Sequence, residues 1–88
     1  MNTYQNAVDD KLWELQLACH RYKKTDCLAD WVLYAFNWYI DTDRATRQFV
    51  ENFVKFPDNK LEHLIRQCLN GDRSNSGIIA TAKRILEE

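Results

Sequence analysis

Two glycines and a single proline are the only strong backbone breakers in this chain of 88 residues. A sandwich or barrel of short strands needs a turn every few residues and draws heavily on both, so an all-β fold is excluded. Long apolar runs are missing too. The longest, Trp31 to Ile40, is far short of the roughly 20 residues that span a bilayer, and Asn37 interrupts it. Charge of one sign is equally absent. Twelve Lys and Arg against 13 Asp and Glu leave a net charge of −1, too small for a whole-molecule field that steers nucleic acid or an anionic membrane. The opening MNTYQNAVDD carries no basic-then-apolar leader, and three cysteines are an odd number for a disulfide framework. Reduced thiols and a cytoplasmic location are the expectation.

Apolar residues make up 45 % of the chain and aromatics 12 %, enough for one modest core over residues 1–88 and not for two. Their spacing is helical. In TYQNAVDDKLWELQLACHRYKK, residues Tyr4, Val8, Leu12, Leu15, Cys19 and Tyr22 recur at steps of three or four and form one stripe. Asn2 with Gln5 makes a capping pair, and Lys23 and Lys24 suit the carbonyl end. Thr25 or Asp26 then caps CLADWVLYAFNWYI. Its inner stripe of Leu28, Val32, Ala35 and Tyr39 is broadened by Trp31, Phe36 and Trp38, leaving Asp30, Asn37 and Tyr34 as a wet edge. A helix apolar over most of its circumference belongs among other helices.

A third helix is expected after a cap at Thr42 or Asp43, burying Ala45, Phe49, Val50, Phe53 and Val54 until Pro57 stops it. A fourth starts at Asp58 or Asn59 and carries Leu61, Leu64, Ile65 and Cys68. Asn70-Gly71 is its exit, through the left-handed conformation that glycine tolerates. Ser74 or Ser76 restarts the chain into GIIATAKRILEE, with Ile78, Ala82, Ile85 and Leu86 inside. The fold class read from this pattern is all-α: a compact orthogonal bundle of about five helices around a central apolar helix.

The stretch NGDRSNSGII holds both glycines and invites a ligand. Asp72, Ser74, Ser76, Gly77 and Ile79 fall at liganding, glycine and apolar positions of an EF-hand loop, which this segment partly resembles. Where that loop closes with a bidentate glutamate, this chain has Lys83, and one carboxylate beside an ammonium does not balance a hard dication. Gly77 is followed by Ile78 and Ile79 instead of Lys-Ser/Thr, so the segment is not a phosphate-binding loop either. It reads as a capped connection between helices.

Cys19, His20, Cys27, His63 and Cys68 supply zinc-ligand atom types but no CxxC or HxxxH pair, and Cys19 and Cys68 sit on apolar stripes. No Gly-x-Ser-x-Gly elbow or HExxH is present, and the acidic pairs Asp9-Asp10, Asp41/Asp43 and Glu87-Glu88 lie near helix or chain ends. No metal, no cofactor and no catalysis are expected.

Two surfaces remain. SNSGIIATAKRILEE resembles the recognition helix of helix-turn-helix regulators, with hydroxyl residues leading and Lys-Arg near the end. The resemblance implies Ser76 and Thr81 toward bases and Lys83 and Arg84 on the phosphates of a nucleic acid. The loop before it reads as longer than that motif's usual turn. The other surface is on the first helix. At 100° per residue, Trp13 and Leu17 lie opposite the Leu12–Leu15–Cys19 stripe, among charged residues. A tryptophan ringed by charges is the usual centre of a contact surface; the alternative is a sandwiched first helix, with another helix over Trp13. The expectation is a small interaction module, such as an inhibitor, adaptor or accessory subunit. It would meet another protein or a second copy through Trp13, Leu17, His20 and Arg21, with Glu14 at the rim. Nucleic acid is the alternative partner, and no membrane is involved.

Overall fold

A computed structural model describes residues 3–22 and 28–87, together with the side chains of residues 5–22 and 29–87. The Asn2 cap, the closing lysines Lys23 and Lys24, the caps Thr25 and Asp26, and Cys27 lie outside the described residues, as do the side chains of Tyr4 and Leu28. The chain forms α1 (Thr3–Tyr22), α2 (Leu28–Asp41), α3 (Arg47–Lys55), a 3₁₀ turn (Asp58–Lys60), α4 (Leu61–Asn70) and α5 (Asn75–Leu86). Among the described residues there are five α-helices and no strand, an all-α bundle. None of these helices is long and apolar enough to cross a membrane.

α2 is the hub, packing against α1, α4 and α5, while α3 rests on α1 and α5. The Cα radius of gyration is 12.0 Å, matching the value of about 12 Å expected for a folded domain of this length. Val8, Leu15, Ala18 and Cys19 of α1 are buried against Ala29, Val32, Ala35 and Phe36 of α2, Leu61, Leu64, Ile65 and Cys68 of α4, and Ile78, Ala82 and Ile85 of α5. Three ring contacts join the end of α2 to α3: Phe36 to Phe53 at 4.9 Å, Phe36 to Phe49 at 5.8 Å, and Tyr39 edge-on to Phe49 at 5.0 Å between centroids. Such tilted and edge-on ring contacts add to plain area burial.

The boundary between α2 and α3 differs from the sequence reading. Asp43, expected to open α3, closes α2 instead. It adopts φ 57°, its amide donates to the Ile40 carbonyl at 3.2 Å, and the Arg44 amide reaches back to the Tyr39 carbonyl at 3.1 Å. These are the paired bonds of a Schellman ending, with aspartate in the left-handed position that glycine usually takes. Thr42 is also spent on α2, its hydroxyl donating to the Trp38 carbonyl. α3 is capped by Thr46, whose Oγ1 accepts from the Phe49 amide at 3.1 Å.

α4 also ends otherwise than expected. Gly71 sits at φ −101°, ψ −151°, extended and not left-handed. The Leu69 carbonyl accepts from the Arg73 guanidinium at 2.8 Å, so a side chain does what the left-handed turn would have done. The connection to α5 is self-satisfied. Asp72 Oδ1 accepts from the Ser74 amide at 2.9 Å, and Ser74 Oγ caps α5 by accepting from the Gly77 amide at 3.1 Å. The Ser74 backbone amide, and after it the Ser74 hydroxyl, hold the Asp72 carboxyl below the usual carboxylate range. The loop is a capped connection whose one carboxylate is already engaged.

The surroundings of α2 also need correction. Trp31, expected to widen its buried side, is 47 % exposed, and Tyr34 is 65 % exposed. The helix is central but open along one side. Cations cover its rings there in place of a helix: Arg73 lies over Trp31 and Arg44 over Trp38.

Candidate interaction surface on the first two helices

The outer face of α1 begins from a constraint on its inner face. Leu15, Ala18 and Cys19 are fully or almost fully buried, which fixes the helix's rotation and leaves the residues 160–200° away in solvent. Those are Trp13, 57 % exposed, and Leu17, 40 % exposed. Lys11 locks the same rotation by a polar route. Only 7 % exposed, it donates to the Phe56 carbonyl at 2.6 Å and to Asp58 at 2.7 Å, and pairs with Glu14 at 2.9 Å. Burial alone would lower its pKa. The hydrogen bonds to Asp58 and Glu14, with their charges, outweigh that and raise it, while the bond from Lys11 holds the Asp58 carboxyl below its ordinary value.

Trp13, Gln16, Leu17 and His20 of α1 face Asp30 and Leu33 of α2 across an open cleft of about 400 Å³. Three of the five residues expected at a contact surface, Trp13, Leu17 and His20, are thus brought together. The other two are held in ion pairs away from it. Glu14 is engaged by Lys11, and Arg21 pairs with Glu62 of α4 at 3.3 Å. Gln16 and Leu33, not singled out in the sequence, complete the cleft with Asp30, which the sequence placed only on a wet edge. Asp30 and Leu33 could be found only by knowing which side of α2 lies beside α1. Asp9 and Asp10, one turn before Trp13, are exposed, so the cleft is apolar at its middle and acidic toward the start of α1.

The residues of the helix-turn-helix resemblance are not brought into one row. Ser76 and Lys83 line a small cleft with Trp38 and Tyr39, and Arg84 is exposed. Thr81 is half-buried beside Gly71. The loop read as too long is four residues, Gly71 to Ser74, between the end of α4 and the start of α5. That length is usual for two helices joined by a tight turn.

No protein-family model matches the chain, and no curated protein or solved structure is similar to it.

The thiols and imidazoles offer little chemistry. Cys19 and Cys68 are free and buried. Burial pushes the thiol of each up to about 12, with the Asp30 charge adding to the effect at Cys19, so neither is a ready nucleophile. His20 and His63 are exposed on separate helices, α1 and α4. Among the described residues no three His, Cys, Asp or Glu side chains gather as a metal site.

Proposed function

We propose that this chain is a small, non-enzymatic docking module of the cytoplasm that works by covering, or being covered by, another protein at the α1–α2 cleft. The observation that carries the reading is the solvent exposure of Trp13 beside Leu17 on a helix whose opposite face is sealed into the core. Burying the exposed half of an indole is worth about 3 kcal/mol at 25 cal/mol per Å², a gain open to this chain only through a partner. The position also fits a contact centre: a large ring in an open cleft, flanked by Leu17 and Leu33, with polar and acidic groups around it.

The charges narrow the partner. Asp9 and Asp10 stand one turn before Trp13, and Asp30 lies inside the cleft. A complementary surface presents apolar side chains to Trp13 and Leu17 with Lys or Arg beside them, as the apolar face of a basic amphipathic helix does. An inhibitor, an adaptor and an accessory subunit all use such a face.

The test is a photo-crosslinking amino acid in place of Gln16, expressed in the native host. The reading expects one or a few discrete adducts that disappear when Trp13→Ala is added, with unchanged helical circular dichroism. Adducts that persist in Trp13→Ala, or none at all, would rule out the cleft as the contact. An adduct of twice the chain's own mass would identify a second copy.

A further inference from the structure

A second surface lies on the far side of α2, and its composition differs from the first. Every cation–ring pair formed among the described residues falls there, and every ring comes from α2. The Arg73 guanidinium carbon is 5.7 Å from the Trp31 ring centre, the Arg44 guanidinium carbon is 4.7 Å from that of Trp38, and Lys83 Nζ is 5.2 Å from that of Tyr39. Two clefts open along this face. One, of about 440 Å³, is lined by Trp31, Tyr34, Arg73, Ser74 and Asn75. The other, of about 220 Å³, includes Trp38, Ser76 and Lys83. Trp31 and Trp38 are seven residues apart, two helical turns or about 10 Å along one side of α2. Trp31, Tyr34 and Trp38 thus form a row of partly exposed rings beside Arg73, Arg44 and small hydrogen-bonding groups, while Tyr39 is buried beneath Lys83.

We propose that this face binds single-stranded nucleic acid. Unpaired bases stack on aromatic rings and guanidinium planes while the backbone tracks the cations, and both elements are present in alternation. Duplex DNA is the poorer fit. Its bases are stacked among themselves and reachable only at their edges, which calls for side chains projecting from a helix. Here Lys83 and Arg73 are folded back over α2 rings, and Thr81 is turned toward Gly71. The groups left outermost are Trp31 and Tyr34. Asp72 beside Arg73, Asp41 and Asp43 beside Arg44, and Glu87 one turn beyond Lys83 border the face, so it carries no net positive charge; the cations act only at short range, and stacking on Trp31 and Tyr34 carries most of the affinity.

The experiment is fluorescence anisotropy of a labelled 20-mer of deoxythymidine titrated with the full chain at 25 mM salt, repeated at rising salt. Three neutralised phosphates give a slope of about −2 in log affinity against log salt, and Arg73→Ala with Lys83→Ala should bring it to about −0.7. Trp31→Ala and Tyr34→Ala should each weaken binding by about tenfold, as loss of one stacked base does. Both rings are exposed, so a melting curve will show whether the fold is intact. Trp13→Ala, on the other surface, should leave the titration unchanged. No binding at 25 mM salt overturns the proposal, as does binding that Trp31→Ala and Tyr34→Ala leave intact. A 20-base-pair duplex bound as tightly as the single strand would assign the face to backbone charge and overturn the stacking role.

Discussion

Lys11 shows how much one polar side chain can set. Its stem runs under α1 and its ammonium ties that helix to the Phe56 carbonyl and to Asp58, in the segment that joins α3 to α4. Lys11→Met keeps the stem's packing but strands that carbonyl, and we expect a loss of about 1–2 kcal/mol, read as a melting temperature lower by roughly 4–15 °C for a domain of this size. The pH dependence separates charge from packing. The Asp58 pKa is depressed in the folded chain, so its stabilisation is present above the ordinary carboxylate value near 4 and fades as pH falls through the lowered one. That acid-side dependence should be shallower in Lys11→Met. Gly77 makes a different point. A Cβ there would stand 2.4 Å from Asp72 Cγ and 2.7 Å from the Asp72 carbonyl oxygen, so the turn before α5 closes only on a residue without a side chain. Gly77→Ala is expected to destabilise by about 1–3 kcal/mol, although alanine is intrinsically the better helix former by up to about 1 kcal/mol. Gly71→Ala is the internal control, since a Cβ there meets nothing closer than Thr81 Oγ1 at 3.4 Å. Chemical denaturation of the pair should separate them clearly.

Among the elements, α1 is the one whose two sides have different jobs. Leu15 is wholly buried and Trp13, two residues away, is more than half in solvent. Leu15→Ala should therefore cost about 3 kcal/mol, the usual loss for a large-to-small change in a packed core. Trp13→Ala should change stability by less than about 0.5 kcal/mol. Urea midpoints of the two variants decide whether the outer face is free of structural duty. The buried side of this division was legible in the sequence, because a stripe at steps of three and four marks it; that no other helix covers Trp13 is read only from the packing. The existence and order of the helices were legible for the same reason. Ends were not. Asp43 and Thr42 look like opening caps, but the left-handed backbone at Asp43 exists because α2 must stop and reverse, a tertiary demand that a short polar residue meets. Trp31 reads as core because its ring is apolar, but it is covered in part by Arg73, 42 positions later in the chain. No local pattern predicts that partner. The same blindness hid Asp30 and Leu33 from the cleft and sent Glu14 and Arg21 to it, when Lys11 holds the first and Glu62 of α4 the second.

For the molecule as a whole, the core rather than the surface sets the alkaline limit of stability. Cys19 of α1 and Cys68 of α4 are buried as neutral thiols with pKa values pushed up to about 12 from an ordinary value of 9.0. The sign follows directly. Between those values the unfolded chain releases thiol protons that the folded chain keeps, so folding loses stability as pH rises from about 9 toward 12. Each thiol contributes a slope of about 1.4 kcal/mol per pH unit once unfolded thiolate dominates, about twice that for the pair. Below 9 the contribution vanishes. Lys11 enters only at higher pH, since its raised pKa keeps its stabilisation intact until pH passes its ordinary value of 10.5. Urea unfolding at pH steps from 8 to 11 should therefore show a plateau and then a steep fall. Cys68→Ala lowers the plateau by the cost of a small cavity, and the informative quantity is the slope above it, which should drop to about half. The double change with Cys19→Ala should leave the curve nearly flat until Lys11 begins to titrate. A slope unaffected by either change would mean that these thiols meet water in the folded state. The helix packing that seals them, and with it the rotation that puts Trp13 outside, would then have to be redrawn.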